Sequence, residues 1–347
     1  MADFSSVSIE KRRAMIQKQS LPYEAKLVLA EQRIREFQQW ADEHEKNTYV
    51  SVGGLDSITL LMFIRSLGFD IPAVSVSALE DVSIQRVHKQ LGVERIKPYM
   101  KMSEVISEFG YPILSKEKAS QIEALQNPTV RNQKMRHAAM TGEVSVAGMC
   151  VKFVRKRRLS KKWLKLFGGL ENEKYETDYK IAPFKVSDKC CYYTKEKPTV
   201  VWAKEHNSVP YQGLMASEGG KRELALVNNG CNLFSERSTR SCPFAVFNRQ
   251  DLLRLALDLN VPVPDIYGTI ERKEDGTLYT TGAQRTGCMM CGFGIHVEKR
   301  PHRFDRLREK NPKVWNHVMY EEGWGEVLSY IGVGWKDLPE VKKEGLK

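Results

Sequence analysis

Two sets of residues in this sequence could do chemistry: four cysteines and one glycine loop. Cys190 and Cys191 are adjacent, and much further along comes Cys288-Met289-Met290-Cys291, flanked by Gly287 and Gly292. Thiolates from two chain segments can enclose one metal centre, either zinc or an iron–sulfur cluster. Zinc sites more often join two CxxC knuckles, whose short arch aims two sulfurs at one ion, so a vicinal Cys-Cys half suits zinc less well. Buried free thiols and a CxxC redox pair are the other readings of the same residues. Cys150, Cys231 and Cys242 read as buried thiols, since free cysteine is commonly a small core residue.

The glycine loop is Ser51-Val52-Gly53-Gly54-Leu55-Asp56-Ser57. It falls between a β-prone run, Asn47 to Val52, and an apolar run, Ile58 to Leu67, which together read as strand, loop and buried helix. Bare backbone N–H groups ahead of a helix N-terminus can hold polyphosphate oxygens, and glycines let the chain approach an anion closely. Ser57 is placed as an N-cap or phosphate donor, and Asp56 as a cap or a residue that positions a metal ion. An ordinary strand-to-helix turn is the bland alternative.

These residues need elements to position them. Tyr23 to Glu45 places Leu27, Ala30, Ile34, Phe37 and Trp40 at helical spacing after a polar lead-in over residues 1–20. Further apolar runs at Ile71 to Val76 and Val93 to Ile96 flank a helical Asp81 to Leu91. Such alternation predicts an α/β fold with a mostly parallel wound sheet. Met102 to Arg136 reads as helical and polar, Thr199 to Ala203 as a short strand, Arg249 to Leu259 as a helix ended by Pro262 and Pro264, and the chain from Phe304 onward as a charged helical extension. A basic insert near 151–166 lies outside the sheet in this reading: Val151 to Lys165 holds eight Lys or Arg and no acid.

With 347 residues, 41% hydrophobic and 28% charged, the chain can bury a sizeable core. No stretch approaches the roughly 20 apolar residues of a membrane span, and the polar start lacks the apolar core of a secretory leader, so a cytoplasmic protein with reduced thiols is expected. A net charge of +11 favours an anionic partner such as a nucleotide or nucleic acid.

The SxGGxDS pattern resembles the PP-loop of the N-type ATP pyrophosphatases, although many members carry Lys where this chain has Leu55. The Cys-Cys pair with a distant CxxC resembles the 4Fe-4S ligand arrangement of the cluster-containing branch of the phosphoadenylyl-sulfate (PAPS) reductase-like family. Tyr211 to Arg222 (YQGLMASEGGKR) is similar to that family's GxRxxESxxR segment, keeping Gly213, Glu218 and Arg222 but with Met215 and Gly219 in place of its first Arg and its Ser. Pro243 to Gly268 and Arg285 to His296 also align in order, so that the resemblance covers Tyr23 to Met319.

The resemblance implies an adenine-nucleotide alpha-hydrolase-like domain over residues 21–300, a C-terminal extension over 301–347, and a 4Fe-4S cluster on Cys190, Cys191, Cys288 and Cys291. It implies ATP or another adenine nucleotide held by Ser51, Gly53, Gly54, Asp56, Ser57, Glu218, Arg222 and Arg285, with Mg²⁺, and Asp56 and Arg222 in catalytic roles. The expected reaction is cleavage of ATP between its α and β phosphates to adenylate a substrate, after which sulfur displaces AMP. A sulfur or electron donor protein is then a partner. Nucleic acid is a candidate substrate through Lys152 to Lys165, against the simpler reading of that stretch as a solvated face. Classical family members carry a nucleophilic cysteine in a C-terminal tail, whereas no cysteine follows Cys291 here. A sulfonucleotide reductase would therefore have to use Cys231 or Cys242. A nucleotide-binding module without turnover is the third reading, and His296 reads as structural.

Overall fold

The run NTYVS forms strand β1 (Asn47–Ser51). It is joined in one sheet by β2 (Ala73–Ser75), β3 (Glu94–Arg95), β4 (Ser208–Gln212), β5 (Asn232–Leu233) and β6 (Arg240–Ser241), in the spatial order β3-β2-β1-β4-β6-β5. All pairs are parallel except β5 with β6. This is the mostly parallel α/β sheet expected from the alternating pattern. The computed structural model describes residues 9–76, 79–146, 150–168, 182–235 and 238–337.

The chain divides into two compact units. The sheet unit comprises Met1–Pro98 and Lys197–Cys288, and the other comprises Tyr99–Glu196 and Met289–Lys347. Residues 21–300, read from sequence as one domain, span both units, and the described part of the C-terminal stretch, 301–337, falls in the same unit as the segment 99–196.

Helices of the sheet unit are α1 (Ile9–Gln19), α2 (Tyr23–Glu43), α3 (Leu55–Ser66), α4 (Val82–Gln90), α5 (Lys197–Glu205), α6 (Gly220–Asn229) and α7 (Arg249–Asp258). α2 buries Ala30, Ile34, Phe37 and Ala41, spaced three or four apart, and Phe37 meets Tyr211 of β4 edge to face at 4.9 Å. α3 is apolar nearly all round because it lies inside the core: Leu55, Ile58, Leu60, Leu61 and Ile64 are wholly buried. A buried ion pair, Lys26 Nζ to Asp251 at 2.8 Å, ties α2 to α7.

Two expectations change. Thr199 to Ala203 is not a strand but part of α5, because Trp202 anchors the segment against Tyr49 (5.0 Å) and donates to Glu94 at 2.9 Å, and this tertiary attachment outweighs the β preference of Thr199, Val200 and Val201. The polar lead-in contains α1, a helix whose one buried side chain is Met15.

The second unit holds helices Met102–Phe109, Lys116–Gln126, Gln133–Thr141, Lys161–Phe167, Arg303–Lys310 and Trp324–Ile331. Its hairpin pairs Glu143–Val146 with Cys150–Phe153, and a two-stranded parallel pair joins Ile113–Leu114 to Gly292–Phe293. The tail is charged by composition, yet it supplies much of this core: Trp324 is fully buried against Tyr111 (5.3 Å) and Phe304 (5.1 Å), and a side chain at Gly292 would strike its ring at 2.7 Å. Among the described residues no helix is long and apolar enough to cross a membrane.

Candidate functional site

The strand order reverses between β1 and β4. From β1 the chain proceeds outward to β2 and β3, whereas β4 leads to β6 on the other side. In open parallel sheets the loops leaving two such strands diverge at their carboxyl ends, and the crevice left there is the usual ligand seat. Ser51 and Gln212 end their strands in register. Each is followed at once by glycine-bearing chain: Gly53 and Gly54 after β1, and Gly213 after β4.

Close packing explains two of these glycines. A Cβ at Gly213 would lie 2.9 Å from the Asp56 carbonyl oxygen, and one at Gly54 would lie 2.3 Å from the Tyr267 hydroxyl. The loop is also braced by hydroxyls. Gly53 N–H donates to Ser57 Oγ (2.7 Å), which donates to the Gly54 carbonyl (2.9 Å). Leu55 N–H donates to Tyr267 Oη (3.1 Å), itself bonded to Thr286 Oγ1 (2.7 Å), and a His88 ring nitrogen lies 2.7 Å from the Gly53 carbonyl oxygen.

These contacts correct the picture of a loop of bare amides, since the Gly53 and Leu55 N–H groups already have hydroxyl partners. Gly54 is the N-cap of α3, so Ser57 is not a cap; it sits in the first turn and staples the loop.

Two carboxylates and three guanidinium groups surround this loop. Asp56 Oδ1 accepts from Arg249 Nη1 at 2.7 Å. Burial pushes the Asp56 carboxyl above the ordinary aspartate range; Glu218 adds to this, while Arg249, Arg285 and Arg222 oppose it. Glu218, only 4% exposed, pairs with Arg222 and lies 3.7 Å from Arg285, both of whose heads face solvent. Three cations against two acids, at the positive end of α3, make a setting that favours an anion.

The structure therefore brings Asp56, Glu218, Arg222 and Arg285 together beside Gly53, Gly54 and Ser57, with Ser51 at the end of β1. The departures from the family pattern have physical reasons. Met215 is buried in the core and offers nothing to a ligand, and Gly219 adopts φ +75°, a conformation that disfavours a side chain. Sequence reasoning missed Arg249, Tyr267, Thr286 and His88. Only Arg249 left a signal: a cation in the first turn of a helix, where acids are favoured.

The thiols belong elsewhere. Cys190, Cys191 and Cys291 are in the second unit, and Cys288 is the last residue of the sheet unit. Cys191 lies close enough to Cys291 to push that thiol up. Burial pushes the Cys291 thiol up, while the Phe293 N–H, which donates to its sulfur, and the Arg303 and Lys195 charges pull it down. Lys116 bonds both Cys191 and, at 3.0 Å, Glu196. An amide on sulfur and nearby cations suit thiolate ligands of an anionic cluster. Among the described residues, however, no three His, Cys, Asp or Glu side chains are gathered to hold a metal ion. The sulfurs are right in kind for a metal centre. Cys150 carries a side chain outside those described. Burial raises Cys231 and pushes Cys242 up to about 12, which makes neither a ready nucleophile.

No protein-family model matches this chain, and no curated protein matches its sequence.

Proposed function

We propose that the chain is an adenine-nucleotide enzyme that seats the polyphosphate of ATP at the β1/β4 crevice and cleaves it between the α and β phosphates. An acceptor oxygen attacks the α phosphate and pyrophosphate leaves; a sulfur nucleophile such as sulfide then attacks the activated acceptor, forming the bond to sulfur as AMP departs with the acceptor's oxygen. The observation that carries this reading is the site at the strand-order reversal: a glycine loop opening α3, with Arg222, Arg249 and Arg285 around Asp56 and Glu218. Phosphoryl and nucleotidyl transfer ask mainly for positioning and charge neutralisation, which loop amides and guanidinium groups supply. Mg²⁺ would neutralise further charge when bound, with Asp56 as the loop's own carboxylate. The cluster on Cys190, Cys191, Cys288 and Cys291 is proposed as the sulfur-handling centre on the strength of cysteine spacing and the Cys191–Cys291 approach.

A nucleic-acid acceptor is favoured by a specific feature of the second unit. Lys161, Lys162 and Lys165 are exposed on the helix Lys161–Phe167 while Leu164 and Phe167 are buried, and Arg155 and Arg157 just before it are exposed too. Lys162 also stacks over the Trp163 ring at 4.6 Å. The side chains of Lys152 and Lys156 lie outside those described. The phosphate backbone is the natural partner of such a surface.

The experiment is an anaerobic assay of pyrophosphate release from ATP with DNA or RNA and sulfide present. Acceptor-dependent release supports the proposal. Thioredoxin-dependent sulfite release from an adenylyl sulfate would replace it with the reductase reading, and tight ATP binding without pyrophosphate release would leave a binding module.

A further inference from the structure

Arg249 holds a position that stability alone does not account for. It is the first residue of α7, behind the capping box of Asn248 and Asp251, where the helix dipole disfavours a cation. Its Nη1 bonds Asp56 at 2.7 Å, but its Nε and Nη2 are buried and have no hydrogen-bond partner. A guanidinium has five donors in a planar fork that matches two oxygens of a phosphate, and buried donors of a charged group are seldom left unused without a functional reason. The carboxylate it rests on is itself incompletely satisfied, since Arg249 is the one side-chain donor bonded to Asp56 among the contacts described.

We propose that Arg249 is a phosphate-binding residue of the nucleotide site, held against Asp56 when the site is empty and transferred to a phosphate of the bound nucleotide. Asp56 serves as its parking place, and nucleotide arrival frees the carboxylate. The transfer converts two idle donors into charge-assisted hydrogen bonds to oxygen and leaves Asp56 free in the first turn of α3. No bond is made or broken in this step; one ion pair is exchanged for another. The inference rests on the nucleotide reading above but assigns a role that the loop, Glu218, Arg222 and Arg285 do not require.

Calorimetric titration of the full chain with ATP, inorganic pyrophosphate and adenosine tests it. In Arg249→Gln, ATP and pyrophosphate affinity should fall about ten-fold or more, the loss typical of a charged hydrogen-bonded contact, while adenosine affinity is unchanged. Asp56→Asn, which empties the parking place, should bind pyrophosphate as tightly as wild type or more tightly. Unchanged pyrophosphate affinity in Arg249→Gln overturns the proposal and leaves the nucleotide reading standing. Failure of the wild-type chain to bind either ATP or pyrophosphate overturns both. Should Arg249→Gln fail to fold, Arg249→Lys keeps the charge on Asp56 but not the fork, and wild-type pyrophosphate affinity in that variant likewise overturns the assignment.

Discussion

Asp56 in the sheet unit and Asp305 in the second unit are both acids beside an arginine, yet they are built for different ends. Asp305 is 2% exposed; Arg300 reaches it through Nη2 (2.6 Å) and Nε (3.0 Å), and the His302 N–H adds a third bond at 2.8 Å. Burial alone would raise it, but these donors hold its carboxyl below the ordinary range. Asp56 receives one arginine bond, is pushed above the ordinary range by burial, and faces an Arg249 with two donors unused. A fully satisfied buried acid locks a structure. An acid left partly satisfied beside a glycine loop suits the nucleotide site that we propose.

The comparison can be broken most forcefully at Asp305. Replacing it with Ala removes both Arg300 bonds and the partner of the His302 amide, and unfolding by urea should show a loss of about 3 kcal/mol, the low end for broken buried pairs because Arg300 keeps its bond to the Asp337 carbonyl. Asp56→Asn should change stability by less than about 1 kcal/mol while lowering pyrophosphate release roughly 100-fold. Equal stability losses in the two variants would erase the distinction.

Loop packing comes next. Gly54→Ala forces a methyl against the Tyr267 hydroxyl and should cost about 1–3 kcal/mol, read as a lowered urea midpoint, with Tyr267→Phe in the same chain recovering part of it. An unchanged midpoint would mean that the hydroxyl brace is loose.

The smallest effect is the pH dependence, and its sign differs between the two acids. Asp56 binds its proton more tightly folded than unfolded, so its contribution is present in acid and is lost as pH rises from the ordinary value of 3.8 through the raised one. Asp305 does the opposite, contributing above the ordinary value and losing it as pH falls through the lowered one. Stability measured against pH should therefore fall less steeply toward acid in Asp305→Asn and less toward neutrality in Asp56→Asn. Identical profiles for both variants would contradict the assignment.

Much of the sheet unit was legible because its signals are local. The alternation of apolar runs gives β1, α3, β2 and α4 directly, and the glycine loop sits where those runs place it. The segment 199–203 was misread because its fate is decided by Trp202 and Tyr49, residues far apart in sequence. The second unit was less legible still: its core is shared between Tyr111 and Phe304 or Trp324, and a charged tail conceals the few large side chains that do the packing. In the site, Asp56, Glu218 and Arg222 could be found from a motif and its spacing. Arg249 left only a cation in the first turn of a helix, and what it meets there comes from the approach of α7 to the loop. The cysteines show the converse: their spacing is suggestive, but spacing alone does not assemble a ligand set. Anaerobic purification decides that point, with about four irons per chain expected for a cubane and zinc or no metal leaving the thiols structural.

The central claim concerns where the phosphates sit, and a crystal structure of the full chain grown with ATP tests it most directly. The account predicts polyphosphate oxygens within about 3 Å of the Ser51–Ser57 amides and of the guanidinium groups that surround them. ATP bound elsewhere on the chain, or an empty β1/β4 crevice at saturating nucleotide, would contradict it.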